Sequence, residues 1–200
     1  VRHMGNIMDY IEWRGDLPFT QSEFNDVDNL ILACFSYVNL DGIQEAASQN
    51  GIELKALTEK FLQLHTEKEL KEDKSFIRFA PFMMLEMAKT ERFGQCVIRN
   101  YVNEIVAEEA QQFSAVEICL SDGTSYISFR GTDDTIVGWK EDFNLSTGVV
   151  PAQERAVEYL RRIAGSLQEM VRVGGHSKSC CLRCRDVQRD PSVDPSGLLK

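Results

Sequence analysis

Met170-Val171-Arg172-Val173-Gly174-Gly175-His176-Ser177-Lys178 is the stretch that decides how this chain is read. Its first four residues form a short β-prone run, and two glycines then end it. A strand that turns sharply through small residues into a helix holds the next side chain exposed at the end of its sheet. The segment begins the pattern Gly-x-Ser-x-Gly with Ser177 as candidate nucleophile, although its last glycine is here Ser179. Backbone N–H groups after Ser177 are then placed to stabilise an oxyanion.

Working outward, Pro151 suits a helix first turn, and Ala156, Val157, Leu160, Ile163 and Leu167 recur at helical spacing, with Gly165 weakening the far end. Before it the period changes to two. Phe113 to Leu120 and Thr124 to Phe129 read as antiparallel strands joined by Asp122-Gly123, a dipeptide suited to a two-residue turn. Asn25 opens a nearly continuous apolar run with capping residues, which predicts a buried helix ending near Gly42. Phe79 to Ala88 carries a Met and aromatic stripe expected in the core, and the mixed charges of Glu67 to Lys74 fit a solvated face. No internal repeat is evident.

Ser128-Phe129-Arg130-Gly131-Thr132-Asp133 closes the second strand, and Trp139 and Asp142 follow. With these residues the sequence resembles the class 3 lipases and, more closely, a bacterial branch of lipase-like α/β-hydrolases catalogued as a domain of unknown function. The resemblance spans Asn25 to Lys178. It implies an α/β fold, an α/β-hydrolase-like sheet with flanking helices, incomplete after the nucleophile turn. It also implies ester hydrolysis through Ser177, with Gly131, Thr132 and the Lys178 backbone as oxyanion hole. His176, Gly175, Trp139 and Asp142 support the motif, the substrate is a small-molecule or lipid ester, and no cofactor is required.

After Lys178 the resemblance stops. The family pattern continues with glycines and an alanine-rich helix, whereas this chain continues Ser-Cys-Cys-Leu-Arg-Cys-Arg. A shifted reading frame with permitted codons writes Leu-Ala-Ala-Tyr-Ala-Ala-Gly there, so a small deletion that throws the tail out of frame is the expectation. The layout is then an N-terminal segment 1–24, the front of a hydrolase domain 25–178, and a non-native, disordered tail 179–200. In α/β-hydrolases the triad Asp or Glu and the His come after the serine on later strands, and no histidine follows His176. An unactivated serine is a poor nucleophile, so this polypeptide is expected to be inactive. The alternative is a non-catalytic binding or interaction module on the same scaffold. Missing strands would also leave a sheet edge open to self-association.

Composition narrows the field from the other side. With 43% hydrophobic and 26% charged residues the chain can bury a core, and a formal charge of −9 disfavours nucleic acid as a partner. No apolar run is long enough for a signal peptide or transmembrane segment, which points to the cytoplasm; Val1 to His3, ahead of Met4, are left out of the fold reading. Cys34, Cys96 and Cys119 sit singly in apolar surroundings as buried free thiols do. Cys180, Cys181 and Cys184 cluster, yet no second Cys or His pair completes a tetrahedral zinc site, so no metal is expected.

Overall fold

A computed structural model of the chain describes residues 6–72, 78–106, 111–130, 151–163 and 170–175. In chain order these form α1 (Ile7–Arg14), α2 (Asp26–Phe35), α3 (Gln44–Ala47), β1 (Ile52–Glu53), α4 (Leu54–Leu64), α5 (Glu67–Glu72), α6 (Ala80–Met87) and α7 (Glu91–Gly94). They continue as β2 (Val97–Val106), β3 (Gln111–Cys119), β4 (Ser125–Phe129), α8 (Pro151–Ile163) and β5 (Val171–Gly175). Among the described residues no helix is long and apolar enough to cross a membrane.

The strands form one sheet in the order β1-β2-β3-β4-β5. Every pairing is antiparallel except β4 with β5, which run parallel with Ser125 opposite Val171 and Phe129 opposite Gly175. This corrects the expected α/β-hydrolase-like sheet: the described strands make a mixed, mostly antiparallel sheet. The reason is connectivity, since a short hairpin can join only antiparallel neighbours, and a parallel pair needs a longer crossover such as the one carrying α8.

Alternation along β3 divides the core between the two faces of the sheet. Val116 and Ile118 join Tyr126 of β4 in a cluster with Ile31, Leu32 and Phe35 of α2 and Met83, Met84 and Met87 of α6. Phe113 and Ala115 face the other way, with Ile127, Phe129 and Val173, against Ala156, Tyr159, Leu160 and Ile163 of α8. Each fully buried Leu, Ile or Phe contributes about 1.5–3 kcal/mol. All five residues of β4 are buried, as expected of a strand covered on both sides.

Local chemistry sets the helix starts. Asn6 and Asn25 each accept from backbone N–H groups of the first turn of α1 and α2, while Asp9 and Asp28 reach back to complete capping boxes. α2 stops at Phe35, well short of Gly42, with Ser36 as its C-cap. The β3–β4 connection is also longer than expected. Leu120 N–H donates to the Thr124 carbonyl and Gly123 N–H to the Leu120 carbonyl, with Gly123 at φ 81°, so three residues turn the chain rather than two.

Candidate functional site

The sheet supplies two positioned polar regions and one shared strand end. β4 and β5 finish side by side, with Ser128 opposite Gly174 and Phe129 opposite Gly175. β4 is pinned from the α2 side. Ser128 Oγ donates to the Leu32 carbonyl at 2.7 Å, and the Tyr126 hydroxyl donates to Asn29 Oδ1 at 2.9 Å. Gly174 belongs to this packing: a Cβ there would lie 1.8 Å from the Tyr126 hydroxyl oxygen. Only glycine lets β5 approach that closely.

Immediately after β4, Arg130 reaches across the sheet. Its N–H donates to the Ser114 carbonyl at 2.9 Å, and its Nη2 donates to Asn103 Oδ1 at 2.8 Å, two strands away. Asn103 Nδ2 donates in turn to Asp41 Oδ2 at 2.8 Å, and the Tyr101 hydroxyl donates to Asp41 Oδ1 at 3.1 Å. Burial, then the Asp41 charge, pushes the Tyr101 phenol up, so it stays a donor. Arg130 Nε is enclosed and has no acceptor among the described residues.

A second polar region lies on the face of the sheet toward α8. Glu117, fully buried, accepts from Arg99 Nη2 at 2.8 Å, from Asn100 Nδ2 at 2.7 Å and from Ser125 Oγ at 2.8 Å. Asn100 sits at φ 54° where the β2–β3 register shifts between Arg99 and Val102. The bulge turns the Asn100 amide toward Glu117, and the Tyr159 hydroxyl of α8 donates to the Asn100 carbonyl at 3.0 Å. Burial, followed by the Glu117 charge, pushes the Cys119 thiol up to about 11. That disfavours a thiolate, and the bonds from Arg99, Asn100 and Ser125 engage both oxygens of Glu117.

Neither described cavity sits at the shared strand end. A cleft of about 770 Å³ lies at the other end of β4 and β5, between Phe24, Asn29, Asp122, Thr124 and Arg172. There Arg172 lies over the Phe24 ring at 4.6 Å and donates to Thr124 Oγ1. A smaller one of about 410 Å³ lies between α8 and the β2–β3 pair.

Of the residues singled out from the sequence, Gly175 is described, at the end of β5. Gly131, Thr132, Trp139, Asp142, His176, Ser177 and Lys178 lie outside the described residues, as do Cys180, Cys181 and Cys184 and the tail 179–200. Among the described residues no three His, Cys, Asp or Glu side chains gather into a metal site. Sequence reading quoted Arg130 only as part of the motif closing β4 and gave no role to Arg130, Asn103 or Asp41. The available signal was a charged residue directly after an uncharged, fully buried strand.

Comparison with known proteins returns one family. A family model described as Mbeg1-like matches residues 87–186, half of the chain, and no curated protein or solved structure matches. This overturns the resemblance to class 3 lipases and lipase-like α/β-hydrolases, and with it the hydrolase and lipase assignment. The motifs behind that resemblance are short and built from Gly, Ser and Thr, residues that any tight strand-to-helix turn favours.

Proposed function

This chain belongs to the Mbeg1-like family, and from that premise we propose that it is a non-catalytic module that binds a small molecule at the shared end of β4 and β5. One observation carries the reading: β4 and β5 are the parallel pair of the sheet and end in register at Phe129 and Gly175. In sheets with parallel strands, ligands seat outside the carboxyl ends, where backbone groups are left without ladder partners. The polypeptide leaves these two ends through Gly131-Thr132 and through His176-Ser177-Lys178. Their backbone N–H groups and the two hydroxyls are the proposed polar contacts, with Trp139 and Asp142 as supports. The free thiols of Cys34, Cys96 and Cys119 favour a reducing compartment.

The test is amide chemical-shift mapping with butyrate and butyramide as probes, run beside a p-nitrophenyl butyrate hydrolysis assay. Shifts concentrated at residues 128–130 and 173–175, with no turnover above that of a Ser177→Ala variant, are expected. Shifts mapping elsewhere, or none, would remove the site. Turnover that disappears in Ser177→Ala would replace a binding module with an enzyme.

A further inference from the structure

We propose that the cleft at the start of β4 and β5 binds a free α-amino acid with an apolar side chain, its carboxylate on Arg172 and Asn29 and its ammonium on Asp26. The cleft lies at the opposite end of the two strands from the strand-end site, and the residues lining it are all described.

Its volume of about 770 Å³ is that of a small-molecule pocket. Tyr126 organises one wall: its hydroxyl donates to Asn29 Oδ1, so the amide nitrogen of Asn29 faces elsewhere. Arg172 is the register partner of Tyr126 on β5, and residues in register on neighbouring strands share a face of the sheet. Phe24 packs on both, its ring 5.8 Å from the Tyr126 ring and 4.6 Å from the centre of the Arg172 guanidinium. Arg172 Nη1 donates to Thr124 Oγ1, and Nη2 stands 3.9 Å from Asp122 Oδ2. These contacts fix the guanidinium in place. Asn29 Nδ2 and Arg172 Nε then have no acceptor among the described residues, and neither is enclosed.

Two fixed donors of this kind suit the oxygens of a carboxylate. The surrounding charges oppose a simple anion, however, because Glu23, Asp26 and Asp122 line the same cleft against the one arginine. Glu23 and Asp26 have no cation within ion-pair distance among the described residues. Asp26 stands three residues before Asn29 on α2, which puts the two side chains on neighbouring turns of one helix face. A cationic group attached next to a carboxylate held by Asn29 therefore falls toward Asp26, and an α-amino acid has that arrangement. Phe24 and Met170, the latter 38% exposed, supply apolar surface for its side chain. A simple acid would leave Asp26 unmatched, and a simple amine would leave both donors unmatched.

The test is an amide chemical-shift titration of the full chain with L-leucine, with 4-methylpentanoate, which lacks the ammonium, and with 3-methylbutylamine, which lacks the carboxylate. L-Leucine should give saturable shifts at residues 24–29, 122–126 and 170–173, and each of the other two should bind about tenfold to a hundredfold more weakly, the worth of a charge-assisted contact. Asn29→Asp keeps an oxygen for Tyr126 and sets a carboxylate where the amide donated, so it should weaken L-leucine by a similar factor and strengthen the amine. Asp26→Asn, at an exposed position, should weaken L-leucine about tenfold without weakening 4-methylpentanoate. If Asn29→Asp lowers the unfolding midpoint, Asp26→Asn decides. The proposal is overturned if the acid or the amine binds as tightly as L-leucine, if Asp26→Asn leaves L-leucine affinity unaltered, or if no probe gives a saturable shift. Shifts at 128–130 in place of the cleft would assign L-leucine to the strand-end site and overturn it as well.

Discussion

Arg92 and Asp28, 64 residues apart, form an ion pair with neither side chain exposed, Nε to Oδ1 at 2.9 Å and Nη2 to Oδ2 at 2.6 Å. The guanidinium also lies 4.0 Å from the centre of the Phe19 ring and ties down the Leu17, Ser22 and Glu23 carbonyls. Asp28 has a second task, accepting the Asn25 N–H that completes the α2 cap. One carboxylate therefore joins a helix start, a 17–23 segment and α7.

Removing one partner leaves the other charge buried, so Asp28→Ala should cost about 3–5 kcal/mol of unfolding free energy. Asn25→Ala removes the cap and the Asn25 Nδ2 bond to the Tyr10 hydroxyl, leaves the ion pair in place, and should cost about 1–2 kcal/mol. Urea unfolding of the two variants checks the order. Equal losses would mean that Asp28 acts through the cap and that Arg92 finds another partner.

The β2 bulge supplies a second prediction. Asn100 adopts a left-handed backbone and donates to Glu117, so it carries both a strain and a bond. Asn100→Gly loses the bond and relieves the strain, whereas Asn100→Ala loses the bond and increases the strain. Both should destabilise, with Ala worse than Gly by about 1 kcal/mol. Thermal and urea unfolding measure the difference, and Ala proving equal to or better than Gly would show that the bulge relaxes.

Burial pushes the Cys34 thiol up from its ordinary 9.0 to about 11, and Cys119 rises to about the same value. A thiol that keeps its proton longer when folded makes the native state bind more protons than the unfolded chain over that interval. Stability is therefore full below about pH 9 and declines as pH rises toward 11. Urea midpoints from pH 7 to 10.5 should fall along this course, and Ellman's reagent at pH 8 should modify the buried Cys34 only on unfolding. Rapid native labelling of Cys34 would contradict its burial.

The parts of the fold legible in the sequence were those that short spacing controls. Asn25 and Asp28 announce the α2 start because a capping box spans three residues. The Ala156, Leu160 and Ile163 stripe of α8 and the alternation of β3 report which side chains face inward. β2 had no such signal. Its bulge at Asn100 shifts the phase of the strand midway, so the period of two that marks a strand breaks at that point. The Gly174-Gly175 pair was read as a turn signal, while Gly174 is in fact required by contact with Tyr126, which only the folded sheet reveals.

By itself the amino-acid sequence determined the local elements, the helix caps and the residues available for the core, because these depend on rotamers and hydrogen bonds within a few residues. The tertiary structure decided which strands are neighbours and which charges meet. β4 pairs parallel with β5 across 41 intervening residues, Arg92 finds Asp28, and Arg130 finds Asn103 in place of a carboxylate. Such partners are selected when distant segments close on one another and the burial of both sheet faces outweighs the loop entropy. No short window of residues contains that balance.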